Sequence, residues 1–285
     1  MKVLKTKAEM SAVAESWRIE NLDVGLVPTM GFLHEGHLSL IRIARQHADK
    51  VVVSIFVNPT QFAPGEDFAA YPRDEARDLA MCEAEGADVV FLPSPEEMYA
   101  PDASVALTEN RLAKTMCGLT RPTHFQGVLT VVNKLFNITR ADVAVFGMKD
   151  AQQLAVIRRM VRDLDMPITI IPGPIIRDED GLAKSSRNKY LSPSERQNAL
   201  CLRQSLDLAE KVWQRGETDA ETVIAQMRAS IAPTPDAVID YIVAVDADSL
   251  DPVTTLRDNT LIALAVKIGK TRLIDNTVLN TRNLP

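Results

Sequence analysis

The sequence predicts an α/β protein with a doubly wound parallel sheet, followed by a second, smaller α+β domain. Short apolar, β-branched runs alternate along the chain with segments in which apolar residues recur at helical spacing. Such alternation is typical of parallel strands joined by right-handed helical crossovers. After about residue 176 the pattern changes to two helical segments and a β-rich end. We therefore expect a Rossmann-like domain at residues 1–176 and a smaller lid domain at residues 177–285.

The elements of the first domain are read from the apolar pattern in chain order. Five runs are expected to form strands at residues 24–27, 51–57, 87–93, 141–147 and 168–171. Helical spacing is found at residues 8–20, 38–44, 73–85 and 150–163. The run V-V-V-S-I-F-V at 51–57 is apolar except for Ser54, as expected of a strand covered on both faces. Residues 94–140 form a longer excursion from this alternation.

The second domain has a clear helix start. Ser192 is expected to cap the helix, with Pro193 at the first helical position and Glu195 at the third. Two helices are expected at residues 193–215 and 218–231, and β segments at 241–245, 261–268 and 272–274.

Composition excludes several classes of protein. A net charge of −6 and a pI near 5.4 argue against a broad nucleic-acid surface, which needs clustered Lys and Arg. Cys82, Cys117 and Cys201 are odd in number and widely spaced, which predicts neither a disulfide framework nor a cysteine metal site. No apolar run approaches the roughly 18 residues that span a bilayer. We expect a cytoplasmic protein that binds neither nucleic acid nor membrane.

The most informative stretch is residues 24–39, V-G-L-V-P-T-M-G-F-L-H-E-G-H-L-S. It predicts a strand, a turn and then a helix that begins near His34 and His37. Residues three apart share a helix face, so both imidazoles should point the same way, beside backbone N–H groups with no partner inside the helix. This arrangement would bind a polyphosphate. The alternatives are a surface accident or half a metal site, although zinc would need a third ligand.

Three further polar clusters fall in loops after strands or at the domain junction. They are Asn58 with Gln61, Lys149 with Asp150 and Gln153, and residues 184–188 (K-S-S-R-N). Taken singly, Lys149 could be merely solvated and the 184–188 run merely surface. Together with the histidine pair, however, the 184–188 run forms the two-part pattern of nucleotidyltransferases that activate a carboxylate or phosphate with ATP.

Five segments in order resemble one family closely. They read P-T-M-G-F-L-H-E-G-H (28–37), F-V-N-P-T-Q-F (56–62), R-P-T-H-F-Q-G-V (121–128), F-G-M-K-D-A-Q-Q-L (146–154) and K-S-S-R-N-K-Y-L (184–191). This series is similar to the pantoate–β-alanine ligase (pantothenate synthetase) family. That family belongs to the nucleotidyltransferase superfamily, whose HxGH motif is like that of class I aminoacyl-tRNA synthetases. The C-terminal part matches mainly through T-R-L-I-D-N at 271–276.

The resemblance implies a two-step reaction and a set of partners. ATP with Mg²⁺ adenylates the carboxylate of (R)-pantoate and releases pyrophosphate. The amine of β-alanine then attacks the pantoyl adenylate, which gives pantothenate and AMP. The family resemblance also implies a homodimer, while it leaves the Mg²⁺ ligands unknown.

The resemblance assigns roles to residues that match the family motifs. The implied catalytic residues are His34, His37 as proton donor, and Lys149. Gln61 and Gln153 are implied to bind pantoate, and Gln61 also to border β-alanine. The implied ATP-binding residues are Met30, Gly31, Phe32, Leu33, His34, Glu35, Gly36, His37, Gly147, Met148, Lys149, Asp150, Ile176, Lys184, Ser185, Ser186 and Arg187.

Two positions depart from the family pattern and two others have open roles. Met148 stands where the family usually has Glu, and Lys184 where relatives are often apolar. Arg121 and His124 either line the β-alanine side or fix the 94–140 excursion. His47 is expected at the surface.

Three other functions compete with this interpretation. The first is an adenylyl- or cytidylyltransferase with another acceptor, although a phosphorylated acceptor would favour Lys or Arg in place of Gln61 and Gln153. The second is a class I aminoacyl-tRNA synthetase, for which the chain is short, acidic and without a tRNA-binding extension. The third is a nucleotide sensor that has lost catalysis.

Overall fold

The computed structural model describes residues 1–280, in which strands and helices alternate. The strands are β1 (Lys2–Leu4), β2 (Val24–Thr29), β3 (Lys50–Ile55), β4 (Val89–Phe91), β5 (Val143–Gly147), β6 (Thr169–Gly173), β7 (Ala237–Asp246), β8 (Thr260–Ile268) and β9 (Thr271–Val278). The helices are α1 (Lys7–Ile19), α2 (Glu35–His47), α3 (Glu75–Ala84), α4 (Pro95–Met98), α5 (Cys117–Thr120), α6 (His124–Thr139), α7 (Ala151–Asp163), α8 (Pro193–Ala199), α9 (Cys201–Gln214) and α10 (Ala220–Ile231).

The first six strands form one parallel sheet in the order β1-β4-β3-β2-β5-β6. The expected α/β class is thereby confirmed. Strands β2 and β3 lie in the middle, and Val51, Val52 and Val53 are fully buried, as their unbroken apolar run predicts. Order along the sheet reverses between β2 and β5, and open α/β sheets bind ligands at such a switch point.

Strand β1 is absent from the elements that the sequence predicts. It is three residues long and pairs with β4 at the edge of the sheet, with Lys2 opposite Val89 and Leu4 opposite Phe91. Lys2 and Val3 are exposed. A short edge strand carries no apolar run, because only part of its surface is buried, and so it gives no periodic signal.

Helix α6 is also absent from the predicted elements and lies inside the 94–140 excursion. Its sequence, H-F-Q-G-V-L-T-V-V-N-K-L-F-N-I-T, is rich in β-branched residues, and ten of its sixteen residues are buried. Its β-branched residues favour a strand and so obscure the helical spacing of the polar face, which consists of Gln126, Thr130, Asn133, Lys134 and Asn137. Gly127 is required here, because a Cβ at this position would lie 2.4 Å from the Thr60 carbonyl oxygen.

The end of the chain forms an antiparallel sheet, β7-β8-β9, with α8, α9 and α10, which confirms the smaller α+β part. Ser192 caps α8 with Glu195 in a reciprocal capping box, and Pro193 begins the helix, as expected. The single helix expected at residues 193–215 is interrupted at Leu200, which ends α8 and precedes α9. Apolar residues of the helices and of the sheet share one core.

The described chain divides into two compact units. Unit 1 comprises residues 1–148 and 156–174, and unit 2 comprises residues 149–155 and 175–280. Helix α7 contributes its first turn to unit 2 and the remainder to unit 1. Among residues 1–280, no helix is long and apolar enough to cross a membrane.

Candidate active site

Predicted site residues of unit 1 follow three neighbouring strands. The loop from Met30 to His34 follows β2, the turn from Asn58 to Gln61 follows β3, and Gly147 ends β5. Because β2 pairs with both β3 and β5 in parallel, these strand ends lie at one edge of the sheet. The edge includes the switch point between β2 and β5.

The loop after β2 is held by a buried carboxylate on α3. Asp78 is 1% exposed, and its two oxygens accept hydrogen bonds from the backbone N–H groups of Phe32 at 2.6 Å and Leu33 at 2.7 Å. Gly31 has φ +80°, and Phe32 also has a positive φ of 51°. Burial raises the pKa of Asp78, against the two backbone donors that lower it. A strained turn is thus fixed from outside the motif.

The two histidines form the start of α2 themselves. His34 is the N-cap residue, and its Nδ1 accepts a hydrogen bond from the Gly36 N–H at 3.1 Å. The Nδ1 atom of His37 accepts from the His34 N–H at 3.3 Å. The ring centroids lie 4.1 Å apart. The two imidazoles therefore lie together, as their spacing predicts.

These bonds determine the tautomer of each neutral ring. A nitrogen that accepts a hydrogen bond from a backbone N–H cannot carry a proton, so the proton of the neutral imidazole is on the other nitrogen. For His34 and His37 that nitrogen is Nε2. Each ring then has an Nε2–H group, which can donate to an anion or transfer a proton.

Some N–H groups near this helix start are already engaged. The sequence predicts backbone N–H groups with no partner inside the helix. In the structure the N–H groups of Phe32 and Leu33 donate to Asp78, and that of Gly36 donates to His34. The turn can therefore present its two imidazoles to an anion with fewer backbone donors beside them than the sequence predicts. Leu33 is fully buried.

The turn after β3 is organised by Asn58, which is 1% exposed. Its amide nitrogen donates to Gln61 Oε1 and to the Gly127 carbonyl, each at 3.1 Å. Its Oδ1 accepts from the Tyr99 hydroxyl at 2.8 Å and from Thr60 Oγ1 at 2.9 Å. Burial raises the pKa of Tyr99, so the hydroxyl stays protonated as this donor role requires. The Asn58 side chain is thereby fully engaged.

Gln61 is 7% exposed and sits between the two loops. Its Oε1 accepts from Asn58, while its Nε2 contacts Met30 Sδ at 2.9 Å. A thioether sulfur is a weak acceptor. Gln61 Nε2 can therefore exchange this contact for a stronger acceptor such as a carboxylate or hydroxyl oxygen.

Arg121 and His124 hold the segment that carries Gln61. Arg121 makes a two-pronged ion pair with Glu66, both distances being 2.6 Å, and its Nη2 donates to the Gln61 carbonyl at 3.3 Å. His124 Nδ1 lies 2.9 Å from the same carbonyl, which can only accept. Burial would raise the pKa of Glu66, but Arg121 outweighs it and holds the pKa below its ordinary value. The sequence leaves two roles open for Arg121 and His124, to line the β-alanine side or to fix the 94–140 excursion. These contacts favour the second role.

In unit 2, the predicted residues lie in two segments. Lys149 and Asp150 belong to a 3-10 turn, and Gln153 is on the first turn of α7. Lys149 and Gln153 are half-buried and Asp150 is exposed, whereas Gln152 is 4% exposed.

The second segment of unit 2 contains Ile176 and residues 184–187. Ser185 caps a short 3-10 helix, Ser186–Tyr190, by accepting a hydrogen bond from the Arg187 N–H. Lys184 forms an ion pair with Asp178 through its Nζ. Because Asp178 compensates the charge of this ammonium, Lys184 has less charge to offer to a phosphate.

The predicted ATP-binding residues are thus divided between the units. Those in unit 1 are Met30, Gly31, Phe32, Leu33, His34, Glu35, Gly36, His37, Gly147 and Met148. Those in unit 2 are Lys149, Asp150, Ile176, Lys184, Ser185, Ser186 and Arg187. For pantoate, Gln61 lies in unit 1 and Gln153 in unit 2.

Two acidic residues with a part in this architecture are not among those that the sequence predicts. Asp78 has a signal, because it lies four residues before the buried Cys82 on the apolar face of α3, where a carboxylate needs a buried partner. Glu66 has none, because its partner Arg121 is 55 positions away. Within residues 1–280, no group of three or more His, Cys, Asp or Glu side chains is placed to hold a metal ion.

Comparisons with known proteins agree over the whole length of the chain. A family model described as pantoate-beta-alanine ligase matches residues 2–278. Pantothenate synthetase from Thermotoga petrophila is 52% identical over 279 residues, which cover 98% of this chain and 100% of that protein.

Solved structures give the same result. A crystal structure of pantothenate synthetase from Thermus thermophilus matches with a TM-score of 0.92 at 40% identity, over 98% of this chain and 99% of that chain. A pantoate-beta-alanine ligase from Francisella tularensis, complexed with beta-gamma ATP and beta-alanine, matches with a TM-score of 0.80 at 33% identity, over 98% of this chain and 97% of that chain. This chain belongs to the pantoate-beta-alanine ligase family.

Proposed function

We propose that this enzyme condenses (R)-pantoate with β-alanine in a reaction driven by ATP, and that a pantoyl adenylate is the intermediate. The observation that carries the proposal is the pair of imidazoles at the start of α2, 4.1 Å apart, beside the sheet's switch point. Their Nε2–H groups are suited to a polyphosphate. The products are pantothenate, AMP and pyrophosphate.

In the first step, a carboxylate oxygen of pantoate attacks the α-phosphorus of ATP. The new P–O bond forms as the bond to pyrophosphate breaks. Two anions must approach each other, so the enzyme contributes mainly alignment and charge stabilisation. His34 and His37 donate to the phosphates through Nε2–H, and the proton on His37 is available to the leaving pyrophosphate. Lys149 adds a positive charge on the phosphates.

In the second step, the free amine of β-alanine attacks the acyl carbon of the adenylate. The C–N bond of the amide forms, the C–O bond to AMP breaks, and the amine loses a proton. Gln61 and Gln153 bind pantoate, because neutral amides pair with both its hydroxyls and its carboxylate. Gln61 also borders β-alanine. The supporting observation is the exchangeable contact of Gln61 Nε2 with Met30 Sδ.

The remaining parts of the site are assigned as follows. Residues 1–176 bind nucleotide and pantoate, and residues 177–285 act as a lid that keeps the adenylate from water. We propose that Mg²⁺ arrives on the ATP phosphates, since Mg²⁺ commonly retains waters and binds substrate phosphates instead of an all-protein cage. We further propose a cytoplasmic homodimer.

The test measures the release of AMP and pyrophosphate by the enzyme in the presence of ATP and Mg²⁺. Three mixtures are compared, which contain pantoate alone, β-alanine alone, or both. We expect sustained AMP formation only with both substrates, and pantoate-dependent exchange of pyrophosphate into ATP without β-alanine. ATP binding without pantoate-dependent turnover would overturn the proposal. That result would favour another adenylate-forming acceptor or a nucleotide sensor.

A further inference from the structure

The segment T-R-L-I-D-N at 271–276 has no part in the function proposed above, yet three of its residues, Thr271, Asp275 and Asn276, are polar and buried, and the last two bind distant segments. Asp275 and Asn276 are adjacent on β9 and are 3% and 4% exposed. They pair with Leu264 and Ala263 of β8. Successive residues of a strand face opposite sides of the sheet. The two side chains therefore leave β9 in opposite directions and have separate partners.

Asp275 binds Arg177 through two hydrogen bonds. The Nη1–Oδ2 distance is 2.7 Å and the Nη2–Oδ1 distance is 2.9 Å. Arg177 Nη1 also donates to the Gly181 carbonyl at 3.1 Å. One guanidinium thus joins strand β9 to a tight turn 98 positions earlier in the chain.

That turn ends at predicted nucleotide-site residues. Arg177 and Ala183 form an antiparallel bridge, and the Lys184 N–H donates to the Ile176 carbonyl at 2.9 Å. Ile176 and Lys184 are therefore the two ends of a small hairpin, and Ser185 follows directly. A shift of Arg177 would move both ends of this hairpin.

Asn276 reaches the other predicted nucleotide segment of unit 2. Its Nδ2 donates to the backbone carbonyl of Lys149 at 3.0 Å, across 127 positions of sequence. This bond fixes the main chain from which the Lys149 side chain projects. It leaves the ammonium group of Lys149 for other partners.

A purely structural role does not explain this choice of residues. Replacing a buried ion pair by apolar residues of similar volume is often neutral or stabilising, so the Asp275–Arg177 pair is weak evidence for stability. Its geometry, however, is directional and fixes the hairpin at one position. The single hydrogen bond from Asn276 is likewise directional, and it fixes the Lys149 backbone at one position.

We propose that Asp275 and Asn276 are positioning residues, which hold Arg177 and Lys149 so that the nucleotide-binding segments of unit 2 are ordered for ATP. The inference rests on the function proposed above. It assigns to the C-terminal motif a task in ATP binding at a distance from the substrate.

The principal test compares Asn276→Ala with Asn198→Ala. Asn198 Nδ2 donates to the Pro235 carbonyl at 3.1 Å, so the control loses a hydrogen bond of the same type in the same unit. The assay is pantoate-dependent exchange of pyrophosphate into ATP. In Asn276→Ala we expect kcat/KM for ATP to fall about ten- to hundredfold, because a small displacement of a binding group can cost up to about a hundredfold. KM for β-alanine should stay within about twofold, the limit for uncoupled sites.

A double-mutant cycle tests whether Asn276 acts through Lys149. In a Lys149→Ala background, Asn276→Ala should change ATP affinity by no more than about twofold. An effect that persists undiminished there, or an equal effect of Asn198→Ala, would overturn the proposal. Affinity for labelled ATP, measured by equilibrium dialysis, keeps this test independent of whether the wild type exchanges pyrophosphate with pantoate.

A second pair of variants tests the ion pair. Asp275→Asn is compared with Asp240→Asn. The control weakens the ion pair between Asp240 of β7 and Arg272, which lies on β9 as Asp275 does; the N–O distance of that pair is 2.7 Å. Both are assayed below their measured melting temperatures, so that loss of folding is separated from loss of ATP binding. We expect only Asp275→Asn to weaken ATP binding, by about tenfold. Equal ATP affinities in the two folded variants would remove Asp275 from the proposal.

Discussion

In unit 1 the start of α2 is capped by its own residues and the loop before it is held by one carboxylate of α3, whereas in unit 2 the predicted nucleotide segments are held by a distant strand. His34 and His37 cap the helix they begin, and Asp78, 45 positions from Leu33, completes the turn. Lys149, in contrast, depends on Asn276, 127 positions away. Both sets of site residues are recognisable in sequence, but only the local caps of α2 follow from spacing, and the remote supports of unit 2 do not.

The difference also concerns charge. In unit 1, Asp78 is buried against backbone amides, and burial raises its pKa. In unit 2, burial acts to raise the pKa of Asp178, but Lys184 and Arg196 outweigh it and hold the pKa below its ordinary value. One loop is therefore held by a carboxylate among neutral donors and the other by a cluster of charges.

The largest effect is expected from His37→Ala. Loss of the Nε2–H donor should lower the rate of adenylation by about a hundredfold or more, the scale of one charge-stabilising group. His37→Asn separates the two roles of this residue, since its Oδ1 can still accept from the His34 N–H. We expect both variants to be impaired and His47→Ala, on the exposed last turn of α2, to be active. Near-full activity of His37→Asn would assign His37 to capping alone.

Asp78→Ala tests whether the local organisation of unit 1 depends on one residue outside the motif. It leaves two N–H donors, those of Phe32 and Leu33, without their partner, which should cost about 2–5 kcal/mol of unfolding free energy. Urea unfolding and KM for ATP measure the two consequences. The control Asp74→Ala removes the exposed cap of the same helix, at a cost of about 0.5–2 kcal/mol. Equal free energies of unfolding and equal KM values for ATP in the two variants would contradict the role of Asp78.

Arg121→Ala tests the support of Gln61. Without the Glu66 pair and the bond to the Gln61 carbonyl, the turn after β3 should loosen, and KM for pantoate should rise by about tenfold. Steady-state kinetics with pantoate as the varied substrate measure this. Arg140→Ala, which removes an exposed ion pair with Glu15 in the same unit, should leave KM unchanged. An unchanged KM in Arg121→Ala would show that Gln61 is held without Arg121, by Asn58 and His124.

The smallest effect is expected from Asp178→Asn, and it depends on pH. A carboxylate whose pKa is lowered by folding stabilises the protein above its unfolded pKa, and this stabilisation is lost as pH falls through the folded pKa. At neutral pH the variant should lose about 0.5–1 kcal/mol. The difference from wild type should vanish on acidification. The pH dependence of stability has the opposite sign for Asp78. Because folding raises the pKa of Asp78, its contribution to the free energy of unfolding falls as pH rises through the carboxyl range. Urea unfolding across the acid range would detect either slope, and a pH-independent difference for Asp178→Asn would contradict the assignment.

Much of the fold is predictable because its signals are local. Residues 51–57 are apolar except for Ser54, and the covered strand β3 starts and ends within two residues of that prediction. Ser192, Pro193 and Glu195 mark a helix start within four residues of sequence. Strand β1 and helix α6 escape prediction because their local signals are weak. Strand β1 is a three-residue edge strand, and α6 is rich in β-branched residues, which favour a strand.

The sequence by itself determined the α/β class, the pairing of His34 with His37 and the family. Each depends on residue types at short spacing, and such spacing is preserved whatever the tertiary contacts. Only the tertiary structure decided that Asp78 accepts from the N–H groups of Phe32 and Leu33, that Arg121 supports Gln61, and that Asn276 holds Lys149. The physical reason is that hydrogen bonds between distant segments depend on where the folded backbone brings donors and acceptors together, and side-chain type alone leaves that choice open.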